Sequence, residues 1–450
     1  MRRIAALIGL LAAATLAGCS GGGSSSAPAV VAVPSGTTGS PTATATSTPA
    51  PAVLTNVAAV TFDAGPAALA VGSKGYTAFN QPFVTVTLCA PGSASNCQTI
   101  DHIILDTGSV GLRVIQSALT PSLLAALPTA TASTGNPVGE CYQYVNSYVF
   151  GSVRSADFAI AGERVAAMPF QVIGDTGRFA TVPSGCSSGG GSGVVTVQDF
   201  GANGVIGIGS TATDCGTFCA GAGGSAAAIY YDCPVGGCGS IIARAPNETA
   251  PFEQLPNPVA AFATNNNGTI ITLPAVPQRG VATLTGTVTF GIGTQTNNLL
   301  SATSIVPLTT STSRLGPGLL TATYNGKTLP QSFIDSGSTH YFFLDAAITA
   351  CTRTNFTAFY CPASPLLLSP TVTGTSGASA SAAFTLYSPL DVAGSSSAAP
   401  GLGVNPTLVT PPLASSNSFD FGAPFYFGRS VYTAIEGRTA GGRPGPFVAF

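Results

Sequence analysis

The sequence predicts an all-β protein whose folded part is divided into two lobes. Gly, Thr, Val, Ser and Ala are abundant, and short apolar runs alternate with turn residues, a pattern that favours many strands and few helices. About 400 residues follow an N-terminal low-complexity segment, which is too many for one ordinary hydrophobic core. An apolar segment that ends in Asp also occurs once in each half of this region, so we expect each lobe to contribute one.

The N-terminus has the pattern of a bacterial export signal. Arg2 and Arg3 precede an apolar run at 4–16, which is too short to span a bilayer and has the length of a secretory h-region. The Leu-Ala-Gly-Cys sequence that ends at Cys19 resembles a bacterial lipobox, and an ordinary secretory signal with a chance Cys is the alternative. The resemblance implies that residues 1–18 are a lipoprotein signal peptide and that Cys19 carries the lipid.

The lipid would anchor the chain to a membrane rather than span it. Ser, not Asp, follows the lipidated Cys, and in Gram-negative lipoproteins this implies the outer membrane, facing the periplasm or the cell surface. Residues 19–57, rich in Gly, Ser, Thr and Pro, are predicted to form a tether. We expect the lobes at 58–277 and 278–450, joined by Pro-rich sequence at 274–277.

The charge of the chain argues against nucleic acid as a partner. Its formal net charge is −2, and only 7% of its residues are charged. Lys and Arg are few and scattered, whereas a nucleic-acid-binding surface concentrates them.

The cysteines indicate an oxidising compartment. There are eleven, and ten remain if Cys19 is lipidated, an even number that favours disulfides in an exported chain. Eight of the ten lie close to a partner in sequence: Cys89 and Cys97, Cys215 and Cys219, Cys233 and Cys238, Cys351 and Cys361. Cys141 and Cys186 would then pair with each other. Within 215–238, local and crossed pairing are both open, and a zinc site there is the weaker alternative.

Two segments repeat the pattern of an apolar strand followed by Asp, Thr or Ser, Gly and Ser. The first loop contains Asp106, Thr107, Gly108 and Ser109, and the second contains Asp335, Ser336, Gly337 and Ser338. A third Asp-Thr-Gly, at 175–177, follows a Gly and has no Ser after it, so we interpret it as a turn.

The chemistry of such a pair of loops follows from their residue types. A strand delivers each Asp to its end, Gly permits a tight turn, and the hydroxyls can hold the carboxylate and the partner loop. Two carboxylates brought together cannot both ionise, so they share a proton. The ionised member can then activate a water while the protonated member polarises a peptide carbonyl.

Four segments in order resemble the pepsin-like aspartic protease family. The sequence Asp-Thr-Gly-Ser-Val-Gly-Leu-Arg-Val at 106–114 resembles the first active-site loop, and 203–209 resembles the Gly-containing strand beneath it. The second Asp loop is followed by 421–433 and then by 445–450, which resemble the matching strand, the C-terminal hairpin and the closing strand. The resemblance covers about 58–450 and implies a two-lobed, pepsin-like, all-β fold with the active cleft between the lobes and Asp106 facing Asp335.

The same family covers its cleft with a hairpin flap that carries a Tyr. The segment 141–151 stands at the corresponding place, and counting back from its last Gly makes Tyr144 the flap candidate. Tyr142 and Tyr148, interpreted as sharing its strand face, are alternatives, and all three could be ordinary strand aromatics. The chain departs from the family where Arg113 replaces an aromatic residue, where Ala423 replaces an acidic one, and in an insertion at about 212–242.

The resemblance implies an exported aspartic endopeptidase that acts on peptides or unfolded proteins. We expect a monomer that uses neither a metal nor a cofactor. The rival hypothesis is a pepsin-like lipoprotein without catalysis, which binds peptide or glycan in the cleft. A Ser-His-Asp triad built on His102 or His340 is the weaker alternative because neither lies near a nucleophile elbow, so we interpret both as core or loop histidines.

Overall fold

The computed structural model describes residues 55–71, 75–216, 228–242, 254–313, 316–409 and 417–450. The predicted signal peptide, the lipidation site Cys19 and nearly all of the tether lie outside the described residues, as does Cys219. The described part is mostly β-strand with few and short helices, as the composition predicts. None of its helices combines the length and the apolar character needed to span a membrane.

Strands account for most of the regular structure up to residue 290. Their bounds are β1 (Val57–Phe62), β2 (Phe83–Cys89), β3 (Cys97–Asp106), β4 (Val110–Ile115), β5 (Val138–Gln143), β6 (Ser147–Ile160), β7 (Glu163–Ile173), β8 (Ser192–Gly193), β9 (Gly204–Ile208), β10 (Ala228–Asp232), β11 (Ser240–Ile242), β12 (Gly268–Thr272) and β13 (Leu284–Phe290).

The strands after residue 300 are mostly shorter. They are β14 (Ile305–Pro307), β15 (Leu320–Tyr324), β16 (Lys327–Ile334), β17 (Tyr341–Phe342), β18 (Leu366–Leu368), β19 (Thr371–Thr373), β20 (Ser379–Ser381), β21 (Phe384–Leu386), β22 (Gly403–Val404), β23 (Asp420–Phe421), β24 (Ser430–Ala434), β25 (Thr439–Ala440), β26 (Arg443–Pro444) and β27 (Phe447–Ala449).

The helices are single turns or little more. The α-helices are α1 (Pro121–Ala126), α2 (Ser184–Ser187) and α3 (Val197–Phe200), and the 3-10 helices are Ala67–Ala70, Gln116–Ala118, Gly177–Phe179, Pro389–Asp391 and Ala423–Tyr426.

A 16-stranded sheet contains strands from both ends of the chain. Its order is β11-β10-β5-β6-β7-β4-β9-β3-β2-β1-β13-β12-β24-β27-β14, with β8 paired to β6. A 7-stranded sheet, β20-β19-β15-β16-β23-β17-β22, lies entirely within the second half, and β18-β21 and β25-β26 form short ribbons. The predicted boundary at 277/278 falls between β12 and β13 and stays a prediction.

The two sheets repeat one strand arrangement around the Asp loops. Strand β9 lies parallel to β3 and antiparallel to β4, and β23 lies parallel to β16 and antiparallel to β17. A later strand therefore separates the strand before each Asp loop from the strand after it. Glycine makes room for this: a Cβ on Gly207 would lie 2.6 Å from the Cα of Val110, and one on Gly422 would lie 2.5 Å from the carbonyl oxygen of Ser338.

The predicted disulfides are confirmed where the structure describes both cysteines. Sulfur bridges join Cys89 to Cys97, Cys141 to Cys186 and Cys351 to Cys361. Within 215–238, where local and crossed pairing were both open, Cys233 pairs locally with Cys238. Cys215 is also disulfide-bonded.

Candidate active site

Both Asp loops hold their carboxyl groups by the same contacts. Asp106 is the last residue of β3, Asp335 directly follows β16, and both are fully buried. The backbone N–H of Gly108 donates to Asp106 Oδ1, and that of Gly337 donates to Asp335 Oδ1, each at 2.8 Å. Each carboxyl group also accepts a hydrogen bond from a Ser hydroxyl of its own loop, Ser109 in the first loop and Ser338 in the second. The repeated sequence pattern therefore corresponds to a repeated set of hydrogen bonds around each carboxyl group.

The two loops face each other and are joined by reciprocal hydrogen bonds. The N–H of Ser336 donates to Thr107 Oγ1 at 2.9 Å, and the N–H of Thr107 donates to Ser336 Oγ at 3.1 Å. Each hydroxyl then donates to the carbonyl that precedes the opposite Asp: Ser336 to Leu105 at 2.7 Å and Thr107 to Ile334 at 3.4 Å. This exchange fixes the position of one Asp loop relative to the other.

The carboxyl of Asp335 packs directly over the first loop. A Cβ on Gly108 would lie 2.5 Å from Asp335 Cγ, so no larger residue fits between them. Burial raises the pKa of Asp335 well above its usual range, and the charge of Asp106, the charge of Asp420 and a side-chain hydrogen bond with Asp106 raise it further. Together these effects favour the protonated form of Asp335, whose carboxyl is hydrogen-bonded to that of Asp106.

Sequence reasoning missed two side chains that touch these loops. Asp420 on β23 is buried and lies 2.6 Å from Ser338 Oγ through its Oδ2, and the Tyr426 hydroxyl lies 2.9 Å from Thr107 Oγ1. The signal for Asp420 is an acidic residue in the apolar sequence Phe-Asp-Phe-Gly, directly before the segment 421–433 that resembles the second Gly strand. Tyr426 gave no such signal because it stands among other aromatics.

A hairpin formed by β5 and β6 brings Tyr144 to the first Asp loop. Tyr144 is buried against Tyr142 and Phe200, with ring centroids 4.9 and 6.1 Å away, and its hydroxyl has no hydrogen-bond partner among the described residues. Burial raises the pKa of Tyr144 well above its usual value, and the nearby Asp106 contributes to this rise. The expectation that Tyr148 shares this strand face is wrong, because Tyr148 lies opposite Gln143 in the register, which places it on the other face.

The tip of this hairpin reaches the second half of the chain. Val145 packs against an apolar cluster that includes Phe342 and Phe359. The base is braced by the Cys141–Cys186 disulfide and by Gln143 Nε2, which donates to the Cys186 carbonyl at 2.6 Å. This hairpin of β5 and β6, called the lid below, is thus attached at its tip and at its base.

Arg113, which replaces an aromatic residue of the resembled pattern, is a fully buried cation. Its guanidinium lies 2.5 Å from Glu140 and 3.0 Å from Asp214, and its Cζ lies 3.7 Å above the ring of Tyr142. Burial alone would lower the pKa of Arg113, but its acidic neighbours, Glu140 foremost, raise it overall. Burial, and then the charge of Glu140, raise the pKa of Asp214, whose carboxyl also accepts from the hydroxyl of Tyr230. This network links the first Asp loop to the lid.

An open cleft lies beside the two Asp loops. It is lined by Thr107, Gly108, Ser109, Val110, Tyr142, Gly209, Ser210, Thr211, Asp214, Leu308, Gly316, Pro317, Gly318, Leu319, Gln331, Phe333, Ile334, Thr433 and Val448. The lining combines apolar side chains with polar groups, a mixture that is common in ligand-binding clefts.

The remaining candidates from the sequence lie outside the carboxyl pair. His340 is buried, with its ring 5.6 Å from that of Phe79, and burial lowers its pKa to about 3. His102 is part-buried and lies 3.2 Å from Asp63. Asp175 of the third Asp-Thr-Gly makes an ion pair of 2.8 Å with Arg154, so its carboxyl has a structural partner away from the two matched loops.

Residues 52–450 match the model of a family described as "Protein of unknown function (DUF3443)". The match includes both Asp loops, the lid hairpin and every described residue. No curated protein matches the chain. The activity has therefore to be inferred from the residues of the site.

Proposed function

We propose that this chain, which belongs to the DUF3443 family of proteins of unknown function, is an aspartic endopeptidase. The observation that carries the proposal is the pair of matched loops, in which reciprocal hydrogen bonds hold two buried carboxyl groups against each other. A two-lobed, pepsin-like fold is part of the proposal. The repeated arrangement of a strand inserted beside each Asp loop supports it.

The protonation of the pair suits peptide hydrolysis. Asp335 holds the shared proton, and Asp106, supported by the N–H of Gly108 and the hydroxyl of Ser109, is the ionised member. Asp106 takes a proton from a water molecule, whose oxygen attacks the peptide carbonyl carbon while Asp335 gives its proton to the carbonyl oxygen. Asp106 then gives its proton to the amide nitrogen while Asp335 takes a proton from a hydroxyl of the tetrahedral intermediate. The C–N bond breaks, the carboxylic acid product forms, and one proton is left on the pair.

The proposed substrate is a peptide or an unfolded protein. Most of the side chains that line the cleft beside the loops are neutral. Both Asp residues are fully buried, so the lid opens on this proposal to admit a chain. The second candidate function is a lipoprotein that holds a peptide or a glycan in the cleft without cleaving it.

We place the enzyme on the outer membrane, tethered by lipid on Cys19, because the N-terminal sequence resembles a lipobox. Replacing Cys19 with Ala should move the protein from the detergent phase to the aqueous phase, or block its processing. Wild-type protein found unmodified and only in the soluble periplasmic fraction would refute the anchor without bearing on catalysis.

The central test is digestion of a peptide library by the purified mature protein from pH 3 to pH 8. Wild-type activity should follow a bell in pH, because only the singly protonated pair is active. Asp106→Asn and Asp335→Asn should each abolish cleavage, and the double variant should be no worse than either, since the two groups act as one unit.

The controls separate the proposal from its rivals. Equal product from wild type and from Asp335→Asn would indicate a contaminating protease. No cleavage at any pH, together with ligand binding that both Asn variants retain, would favour the binding protein.

A further inference from the structure

The two Asp loops match in sequence but differ in one buried neighbour. On β9, Val205 lies opposite the residue two positions before Asp106, and on β23, Asp420 lies opposite the residue two positions before Asp335. Asp420 therefore stands where the first loop has a Val. Both side chains are buried, at 2% and 5% exposed, so the difference is one of chemistry rather than of solvent access.

The extra carboxyl reaches the carboxyl pair through one hydroxyl. Ser338 Oγ lies 3.1 Å from Asp335 Oδ2 and 2.6 Å from Asp420 Oδ2. A serine hydroxyl has a single proton, so it can donate to only one of these two carboxyl groups. If Asp420 carries a proton, all contacts are satisfied: Asp420 donates to Ser338, and Ser338 donates to Asp335.

The surroundings favour this neutral form of Asp420. Its Oδ1 has no hydrogen-bond partner among the described residues, which would be costly for a carboxylate. The titratable groups that face it are Asp335 and Asp106 on the two loops and Tyr426 on the helix that follows β23. Burial raises the pKa of Asp420 well above its usual range, and the charge of Asp106 raises it further, although the hydrogen bond from Ser338 opposes this.

We propose that Asp420 is a positioning residue that stays protonated and, through Ser338, stabilises the charge that Asp335 acquires when it gives its proton to the substrate. The proton of Asp420 remains on Asp420 throughout, because it only strengthens the donor that faces Asp335. Val205 offers no such donor to the first loop, so the two carboxyl groups of the pair are not equivalent. The inference rests on the proposed peptidase function.

The test is the pH dependence of kcat in two variants of Asp420, one that removes the hydrogen-bond donor towards Ser338 and one that keeps a donor but cannot ionise. Asp420→Val, which copies the first loop, should lower kcat by about tenfold and move the alkaline limb up by about one pH unit. The reason is that the Ser338 donor, which favours the charged form of Asp335, is no longer strengthened by Asp420. Asp420→Asn keeps a donor towards Ser338, so its alkaline limb should stay with that of the wild type.

Ser338→Ala supplies the matched control. If Asp420 acts through Ser338, the double variant Ser338→Ala with Asp420→Val should be no worse than Ser338→Ala alone. Two results would overturn the proposal. If the alkaline limb moves to lower pH in both Asp420 variants, Asp420 is charged in the wild type. If Asp420→Val leaves the alkaline limb where it is in the wild type, Asp420 does not act on Asp335.

A measurement without substrate distinguishes failure of this inference from failure of the proposed function. A raised pKa in the folded state gives stability that is present below the unfolded value of about 3.9 and lost as pH rises. The gap in Tm, taken as Asp420→Asn minus wild type, should therefore widen by about 2 °C or more from pH 4 to pH 7, because the wild type loses stability over this range. A constant gap would refute the neutral acid, and a widening gap without any cleavage would remove its catalytic role.

Discussion

Arg113 shows how one substitution relative to a resembled pattern reorganises its neighbourhood. An aromatic residue at this position would need only apolar contacts, whereas a buried guanidinium requires acceptors for its N–H groups. The chain supplies Glu140 and Asp214, and the backbone carbonyl of Val110 accepts from Nη1 at 2.8 Å. Burial and the charge of Glu140 raise the pKa of Asp214, a shift that favours a near-neutral cluster of the kind that a buried site tolerates.

Removing this cation should destabilise the protein in a pH-dependent way. Arg113→Met leaves buried acids without their partner, so we expect the free energy of unfolding to fall by about 3–5 kcal/mol at pH 7. The loss should shrink at pH 4, because buried acids that lack a cationic partner are tolerated better as the pH falls. Denaturant unfolding at the two pH values measures the difference, and Arg113→Met combined with Glu140→Gln should recover part of the loss at pH 7. Equal losses at both pH values would contradict the assignment of a buried charge cluster.

At the scale of elements, the lid hairpin depends on a cross-link that spans a long stretch of chain. Cys141 lies in β5, and Cys186 lies in α2, 45 residues further on. The Cys233–Cys238 disulfide spans only 5 residues and serves as a matched control. Chain entropy predicts that closing the longer loop contributes roughly 4 kcal/mol and closing the shorter loop roughly 2 kcal/mol.

Replacing each pair of cysteines with serine should therefore have unequal effects. Cys141→Ser with Cys186→Ser should lower the free energy of unfolding by about 2 kcal/mol more than Cys233→Ser with Cys238→Ser. It should also speed hydrogen exchange in β5 and β6, because α2 would no longer brace the base of the lid. Similar losses and similar exchange in the two variants would show that the lid does not depend on its disulfide.

The elements also show what the sequence could predict and what it could not. Strand composition and short Cys spacings predict local features, and β3 with its Asp loop and three disulfides lie where they were expected. In the large sheet, strands from the two ends of the chain pair with each other. These pairings join residues far apart in sequence, so no local sequence pattern predicts them. For the same reason, Asp106 and Asp335 were found as motifs, whereas Asp420 and the partners of Arg113 became visible only through tertiary contacts.

At the scale of the whole molecule, buried ionisable groups set opposing pH dependences of stability. Asp214, Asp335 and Asp420 have raised pKa values, so their protonated forms stabilise the fold most at low pH, and this stability is lost as pH rises through the folded values. The pKa of His340 is lowered by burial to about 3, so the stability from its neutral form is complete above about 6.5 and is lost as pH falls.

Replacing His340 should therefore protect the fold against acid. Relative to wild type, His340→Gln should gain stability as pH falls from 6.5 to 4, by on the order of 3 kcal/mol, because the buried ring no longer resists protonation. Thermal unfolding across this range measures the difference, and replacement of the part-exposed His102 is the control. A difference between His340→Gln and wild type that stays constant with pH would refute the assignment.

On the proposed function, the lid also limits how tightly a ligand can bind beside the carboxyl pair. Val145 packs against the apolar cluster of the second half, and a chain could enter only in molecules in which this contact is broken. A measured affinity is the intrinsic affinity multiplied by the open fraction, so a lid open for about one hundredth of the time weakens binding by about a hundredfold. Changes at the lid tip, distant in sequence from both Asp loops, would thus tune occupancy of the site without altering a single ligand contact.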